Sequence, residues 1–267
     1  MRRETGTLSG PGRPARPRRP GRSWVRRWIP DQHGAWAMLA VPFLAGVLLA
    51  PRPGPAHAAL FGAWLSGYAA AFHGQQWLRL RRLSRSPRAA ARHVRPGLVF
   101  GAACAALALP LAVLHPWLLG AGAAAAPFVA VNTYAARRNR ERALWNGLAA
   151  VVPACAMLLV ALRLGGGGLG EGLRPALACL LYFGGTVLYV KTMIRERNSP
   201  AHRRASVAFH AAALAAATCL GPWLALPFTL YLTRAALLPG RALKPPVIGA
   251  LELTASALLL TTLLLPG

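Results

Sequence analysis

A chain of 267 residues that is 55% hydrophobic and only 14% charged, with mean hydropathy +0.40, is short of polar surface. Soluble domains carry about 25% charged residues, so these long apolar runs specify a polytopic membrane protein instead. The net charge of +25 does not make it a nucleic-acid binder: the basic residues lie between apolar runs, and no basic segment interleaved with aromatics is present to hold bases.

Residues 1–23 are rich in Arg, Pro, Gly and Ser and nearly devoid of large apolar side chains. The expectation is a disordered basic cytoplasmic tail over 1–27, ahead of a transmembrane helical domain over 28–267. No small-residue cleavage site follows the first apolar run, where "LLAPRPGP" turns the chain back, so that run is not read as a cleavable signal.

Runs able to cross about 30 Å of hydrocarbon lie near 34–50, 57–78, 96–114, 117–135, 144–162, 174–191, 204–219, 222–238 and 246–265. The predicted fold is therefore all-α, a bundle of about nine spans, or eight if the Ala-rich run at 204–219, interrupted by His210, fails to cross. Very short links, "HPW" and "LGPW", make tight hairpins of the third and fourth runs and of the seventh and eighth. Small-residue faces in "GAGAAAAPFVA" (120–130) and "HAAALAAATC" (210–219) are expected to be buried against other helices.

Charge placement supports nine. Of the 31 basic residues, 28 precede the first run or follow an even-numbered one, counting Arg234 near the end of the eighth, and only Arg52, Arg163 and Arg174 fall on the other side. The positive-inside rule then predicts a multi-pass protein of the cell's inner (plasma) membrane with its N-terminus cytoplasmic and its C-terminus outside. Membrane lipids are the expected partners of these loops. Oligomeric state is not legible.

Dense polar clusters all fall on the Arg-rich side. Asp31, Gln32 and His33 open the first span in "WIPDQHGAWAML", where Pro30 restricts the entry and Asp31 suits a helix cap. His73 and Gln76 share a face near the end of the second, and Asn132 lies in the last turn of the fourth. The ligand-binding candidates are His33, His73, Gln76, Asn132, Arg138, Arg195 and Arg197, all near the Arg-rich ends of spans 1, 2, 4 and 6 or in the loops that follow.

No HExxH, CxxC or DxxD occurs, and there are only six acids: Glu4, Asp31, Glu141, Glu171, Glu196 and Glu252. No metal or cofactor site is expected, because paired carboxylates for Mg²⁺ or for acid–base work are lacking. Cys104, Cys155, Cys179 and Cys219 sit in apolar runs as small hydrophobes. Glu252 is an acid inside the ninth span, costly unless it faces the bundle or is protonated.

"IPDQHGAWAMLAVPFLAGVLL", "NTYAARRNRERALWNGLAAV", "LYVKTMIRERNSPAHRRAS" and "KPPVIGALELTAS" together resemble the YwiC-like family of bacterial integral membrane proteins, over about residues 28–265. That resemblance implies a membrane location and no particular activity. The span count and loop placement are also distantly similar to the UbiA-type intramembrane prenyltransferases, where aspartate-rich motifs end spans 2 and 6. The corresponding segments here are "FHGQQWLRLRR", without Asp, and "LYVKTMIRERNSPAHRR", with Arg195, Glu196 and Arg197. This likeness implies a helical cup open to the cytoplasm. Arginine would take an anionic or isoprenoid lipid-like ligand there, without Mg²⁺–diphosphate motifs. A small-solute transporter and a membrane assembly protein are the alternatives, and enzymatic activity stays open.

Overall fold

The computed structural model describes residues 28–30, 33–84, 86–241 and 243–265, with His33 lacking a described side chain. The chain divides into two units, Met1–Pro30 and Asp31–Gly267. The tail expected to be disordered, 1–27, and the Asp31–Gln32 pair lie outside the described residues.

Among the described residues nine long helices follow one another in the second unit: α1 His33–Leu49, α2 Pro55–Leu83, α3 Val94–Leu114, α4 Trp117–Arg137, α5 Leu144–Leu164, α6 Leu169–Ile194, α7 Pro200–Leu220, α8 Ala225–Leu237 and α9 Pro245–Leu263. Each covers one of the nine apolar runs, the doubtful seventh included. A five-residue helix precedes α3, and a 3-10 turn over Pro222–Leu224 joins α7 to α8. Five of the nine (α3, α4, α5, α6 and α9) are long and apolar enough to cross a membrane unaided. The others rely on neighbours: α1 is apolar but has 17 residues, α8 has 13, α2 carries histidines and arginines, and α7 is Ala-rich. This is a helical membrane bundle.

Local chemistry sets the ends. Proline stands in the first turn of α2, α7 and α9, where its missing N–H is no loss. Ser199 Oγ caps α7 by accepting from the His202 N–H at 3.3 Å. Past the end of α5, Gly166 has φ +85°, a conformation that favours glycine.

The centre is built on α1, α5 and α6. Gly46 lets α1 lie against α5: a Cβ there would overlap the Leu158 carbonyl oxygen and stand 2.9 Å from Ala161 Cβ. The main core joins Val41 and Ala45 of α1 to Cys155 and Leu158 of α5, Cys179 and Tyr182 of α6, Ala213 and Ala217 of α7, Tyr231 of α8 and Leu259 of α9. On the other flank α3 lies along α2 rather than α4, although only His115 and Pro116 separate α3 from α4.

The lipid-facing surface is apolar. Leu98, Leu109, Val113, Leu114 and Leu119 are all exposed on α3 and α4, as expected where acyl chains replace water. The small-residue stretch 120–130 is not buried: most of it is exposed, and α4 buries only Ala135 and Ala136 near its far end. Small side chains permit close approach but do not compel it. On α7 the expectation holds for one face only, at Ala213 and Ala217. Cys155 and Cys179 are buried, whereas Cys104 is half-buried and Cys219 exposed.

Candidate functional site

Seven side chains are expected from the sequence at the Arg-rich end of the bundle, and the structure distributes them. His33 opens α1, but its side chain lies outside the described residues. His73 is fully buried on α2, its Nδ1 2.9 Å from Nδ1 of His93 at the start of α3, with Phe72 and Phe100 around it. Gln76 Nε2 donates to Glu141 Oε1 at 3.4 Å, and Arg79 pairs with the same carboxylate at 3.3 Å while its Nε donates to Asn139 Oδ1. Asn132 is half-buried on α4. Arg138 is exposed and lies over its own helix neighbour Tyr134. Arg195 is the C-cap residue of α6 and is largely exposed; partial loss of solvent, then the charge of Arg142, press its guanidinium below its usual range. Arg197 turns back to donate to the Met193 carbonyl oxygen.

The loop after α4 is thus a meeting point. Through Glu141 it holds Gln76 and Arg79 of α2, and through Arg142 it approaches Arg195. Glu196 stands 4.0 Å from Lys191 rather than pairing with an arginine. His73 belongs to a separate histidine pair between α2 and α3.

A second polar cluster is buried between α6, α8 and α9, and the sequence reading gave it only Glu252. Arg234 of α8 is not a loop arginine. It forms an ion pair with Glu252 of α9, their side chains 11% and 9% exposed. The Arg234 guanidinium stands over Tyr182, Tyr189 and Tyr231, at 5.5, 4.7 and 5.1 Å from the ring centroids. Aromatic faces stabilise such a cation most where water is excluded. Thr186 Oγ1 donates to Glu252 Oε2 at 2.9 Å and accepts from Arg234 Nη2 at 3.3 Å. The Tyr182 hydroxyl lies 3.0 Å from Ser256 Oγ and 3.1 Å from the Glu252 carbonyl oxygen.

Helical spacing assembles this cage. Tyr182, Thr186 and Tyr189 share one face of α6, Tyr231 and Arg234 one face of α8, and Glu252 and Ser256 one face of α9. Each is a polar or aromatic group one turn from the next, a signal that mean hydropathy averages away. The cluster is electrically neutral but not saturated. Arg234 Nε and the Tyr189 hydroxyl are buried with no hydrogen-bond partner among the described residues, as are His202 Nε2, Ser206 Oγ and His210 Nε2 on α7. A buried polar group left unmatched costs about 1–3 kcal/mol. Among the described residues no three His, Cys, Asp or Glu side chains are grouped to hold a metal ion.

The profile of a family described as YwiC-like protein matches residues 29–162. A Haemophilus influenzae protein described as uncharacterized is 33% identical over 248 residues, covering 88% of this chain and 97% of its own length. The Bacillus subtilis uncharacterized protein YwiC is 32% identical over 246 residues, covering 90% of this chain and 98% of its own. No solved structure matches, and nothing in these comparisons adds to the distant likeness to the prenyltransferases. The family profile ends within α5, whereas the two relatives match over 88% and 90% of the chain. This chain belongs to the YwiC-like family of membrane proteins.

Proposed function

We propose that the protein binds an anionic, lipid-like ligand at the Arg-rich end of its bundle, with the headgroup held between Arg142 and Arg195. The supporting observation is the placement of these two guanidinium groups. They come from different elements, the charge of Arg142 presses on Arg195, and neither forms an ion pair with a carboxylate among the described residues. Arg234 is the poorer anion site because Glu252 already neutralises it. In the same reading the N-terminus is cytoplasmic and the C-terminus external, on the strength of the 28-to-3 division of basic residues.

Mass spectrometry of lipids retained by the purified full-length protein tests this. An anionic lipid should be enriched in the native protein and reduced by roughly tenfold or more in Arg142→Gln/Arg195→Gln, since a charge-assisted contact is worth about 1.5–3 kcal/mol. Arg88→Gln, at an exposed arginine of the helix before α3, should change little. Equal retention by the native protein and the double variant would overturn the reading.

A further inference from the structure

The buried polar atoms without partners are not scattered. Six are found among the described residues, and five of them belong to Tyr189, His202, Ser206, His210 and Arg234, on α6, α7 and α8. His202, Ser206 and His210 are spaced four apart, so they form one line along α7 that rises about 12 Å. The line begins in the first turn of α7, next to the Arg-rich loop, where His202 follows the cap residue Ser199. It ends at His210, whose Nε2 lies against Gly185 of α6, and the next residue of α6, Thr186, donates to Glu252.

The register of α6 against α7 brings the other groups to the same line. A Cβ at Gly185 would stand 2.9 Å from His210 Nε2, and one at Gly184 would stand 3.4 Å from Phe209. Four residues onward on α6 and four back on its antiparallel neighbour, Tyr189 comes level with Ser206. Both hydroxyls are buried and unpartnered.

Hydrogen bonding also fixes the state of His210. Its Nδ1 is 2.7 Å from the Ser206 carbonyl oxygen, which can only accept, so Nδ1 carries the proton. In the neutral ring Nε2 is then a bare lone pair, buried and without a partner. Such an atom is able to accept a proton from a neighbour and hand it on.

We propose that the His202–Ser206–His210 line, with Tyr189, is a proton path from the Arg-rich end of the bundle to Glu252. The step is a plain transfer: an O–H bond forms on a Glu252 carboxylate oxygen, and the proton comes from water on the Arg-rich side. The acid–base groups of the path return to their starting state. Taking the proton dissolves the ion pair and leaves Arg234 as a net cation inside its tyrosine cage. The charged and titratable groups facing Glu252 are Tyr182 and Tyr189 from α6 and Tyr231 and Arg234 from α8, with His210 of α7 beyond Arg234. This inference stands apart from the proposed ligand, because it rests on residues of α6–α9 that the headgroup reading does not use.

Infrared difference spectroscopy of the full-length protein in lipid vesicles, recorded after a rapid drop in external pH, tests it. Vesicles are selected for chains whose Arg-rich end faces outward. A protonated-carboxyl stretch should appear in the native protein and be missing in Glu252→Gln. In Ser206→Ala and His210→Phe the same band should form at least tenfold more slowly, with an unchanged final amplitude. Ser206→Ala removes a single hydroxyl and retains the fold even where Glu252→Gln does not, so the rate comparison stands alone. A native protein without the band, a band that survives Glu252→Gln, or equal rates in native protein and Ser206→Ala would overturn the proposal.

Discussion

Arg234 and Glu252 reach across from α8 to α9 and neutralise each other where neither side chain has appreciable access to water. Either charge alone at that depth would be unsupported, so the two residues act as one unit.

The first prediction follows from that unity. Arg234→Met or Glu252→Leu alone should lower stability by about 3–5 kcal/mol, because each leaves a buried charge unpaired. The double substitution should cost much less, since replacing both ends of a buried pair by apolar groups is often close to neutral. Thermal unfolding of the purified protein in detergent provides the comparison. Additive losses in the double variant would show that the two residues are not coupled.

Gly46 supplies a second test. Because a Cβ there would overlap the Leu158 carbonyl oxygen, Gly46→Val must force α1 and α5 apart. Overpacking of this kind costs about 1–3 kcal/mol. The same change at Gly101, which has open space around its Cβ position, should be far milder. Comparing the two melting temperatures separates the packing effect from the general effect of adding a side chain.

At the Arg-rich surface a weaker effect is expected. The Arg79–Glu141 pair is partly exposed, at 30% and 23%, so Glu141→Gln should cost no more than about 1 kcal/mol. High salt should shrink even that difference. A loss as large as that of Glu252→Leu would mean that the loop after α4 is held far more tightly than its exposure implies.

Topology can be read directly. Reporter fusions after residues 55, 90, 168 and 267 should register outside, inside, outside and outside. A cytoplasmic signal at the last position would remove one crossing from the nine.

The helices were legible because hydropathy and loop charge are averages over many residues, and averages survive local exceptions. The charge cluster was not, for the same reason. Arg234 lies three residues before the end of α8, close enough to the loops to count with the topological arginines. Nothing linear in the chain links it to Glu252, eighteen positions away across a turn. Tyr182, Thr186 and Tyr231 are neutral to mildly apolar and leave no mark on a hydropathy trace. The Ala and Gly run at 120–130 misleads in the opposite direction: composition shows that a face can pack closely, while only the neighbouring helices determine whether it does. The contact of Gln76 with Glu141 depends on how the loop after α4 folds back, which no spacing in the sequence encodes.

The thirteen α-helical residues of α8 and the 3-10 turn that leads into them rise only about 25 Å, and a hydrocarbon core is about 30 Å thick. The brevity of α8 therefore makes the bilayer a mechanical component of the protein. Lipid beside α8 must thin, or the helix must be drawn inward at one end, and each ångström of mismatch carries a modest elastic load. Arg234 stands three residues before the end of α8, within one turn of where such a load is applied. Acyl-chain length becomes a control on how firmly the ion pair is held, with short-chain lipids relaxing the strain and long-chain lipids pulling against it.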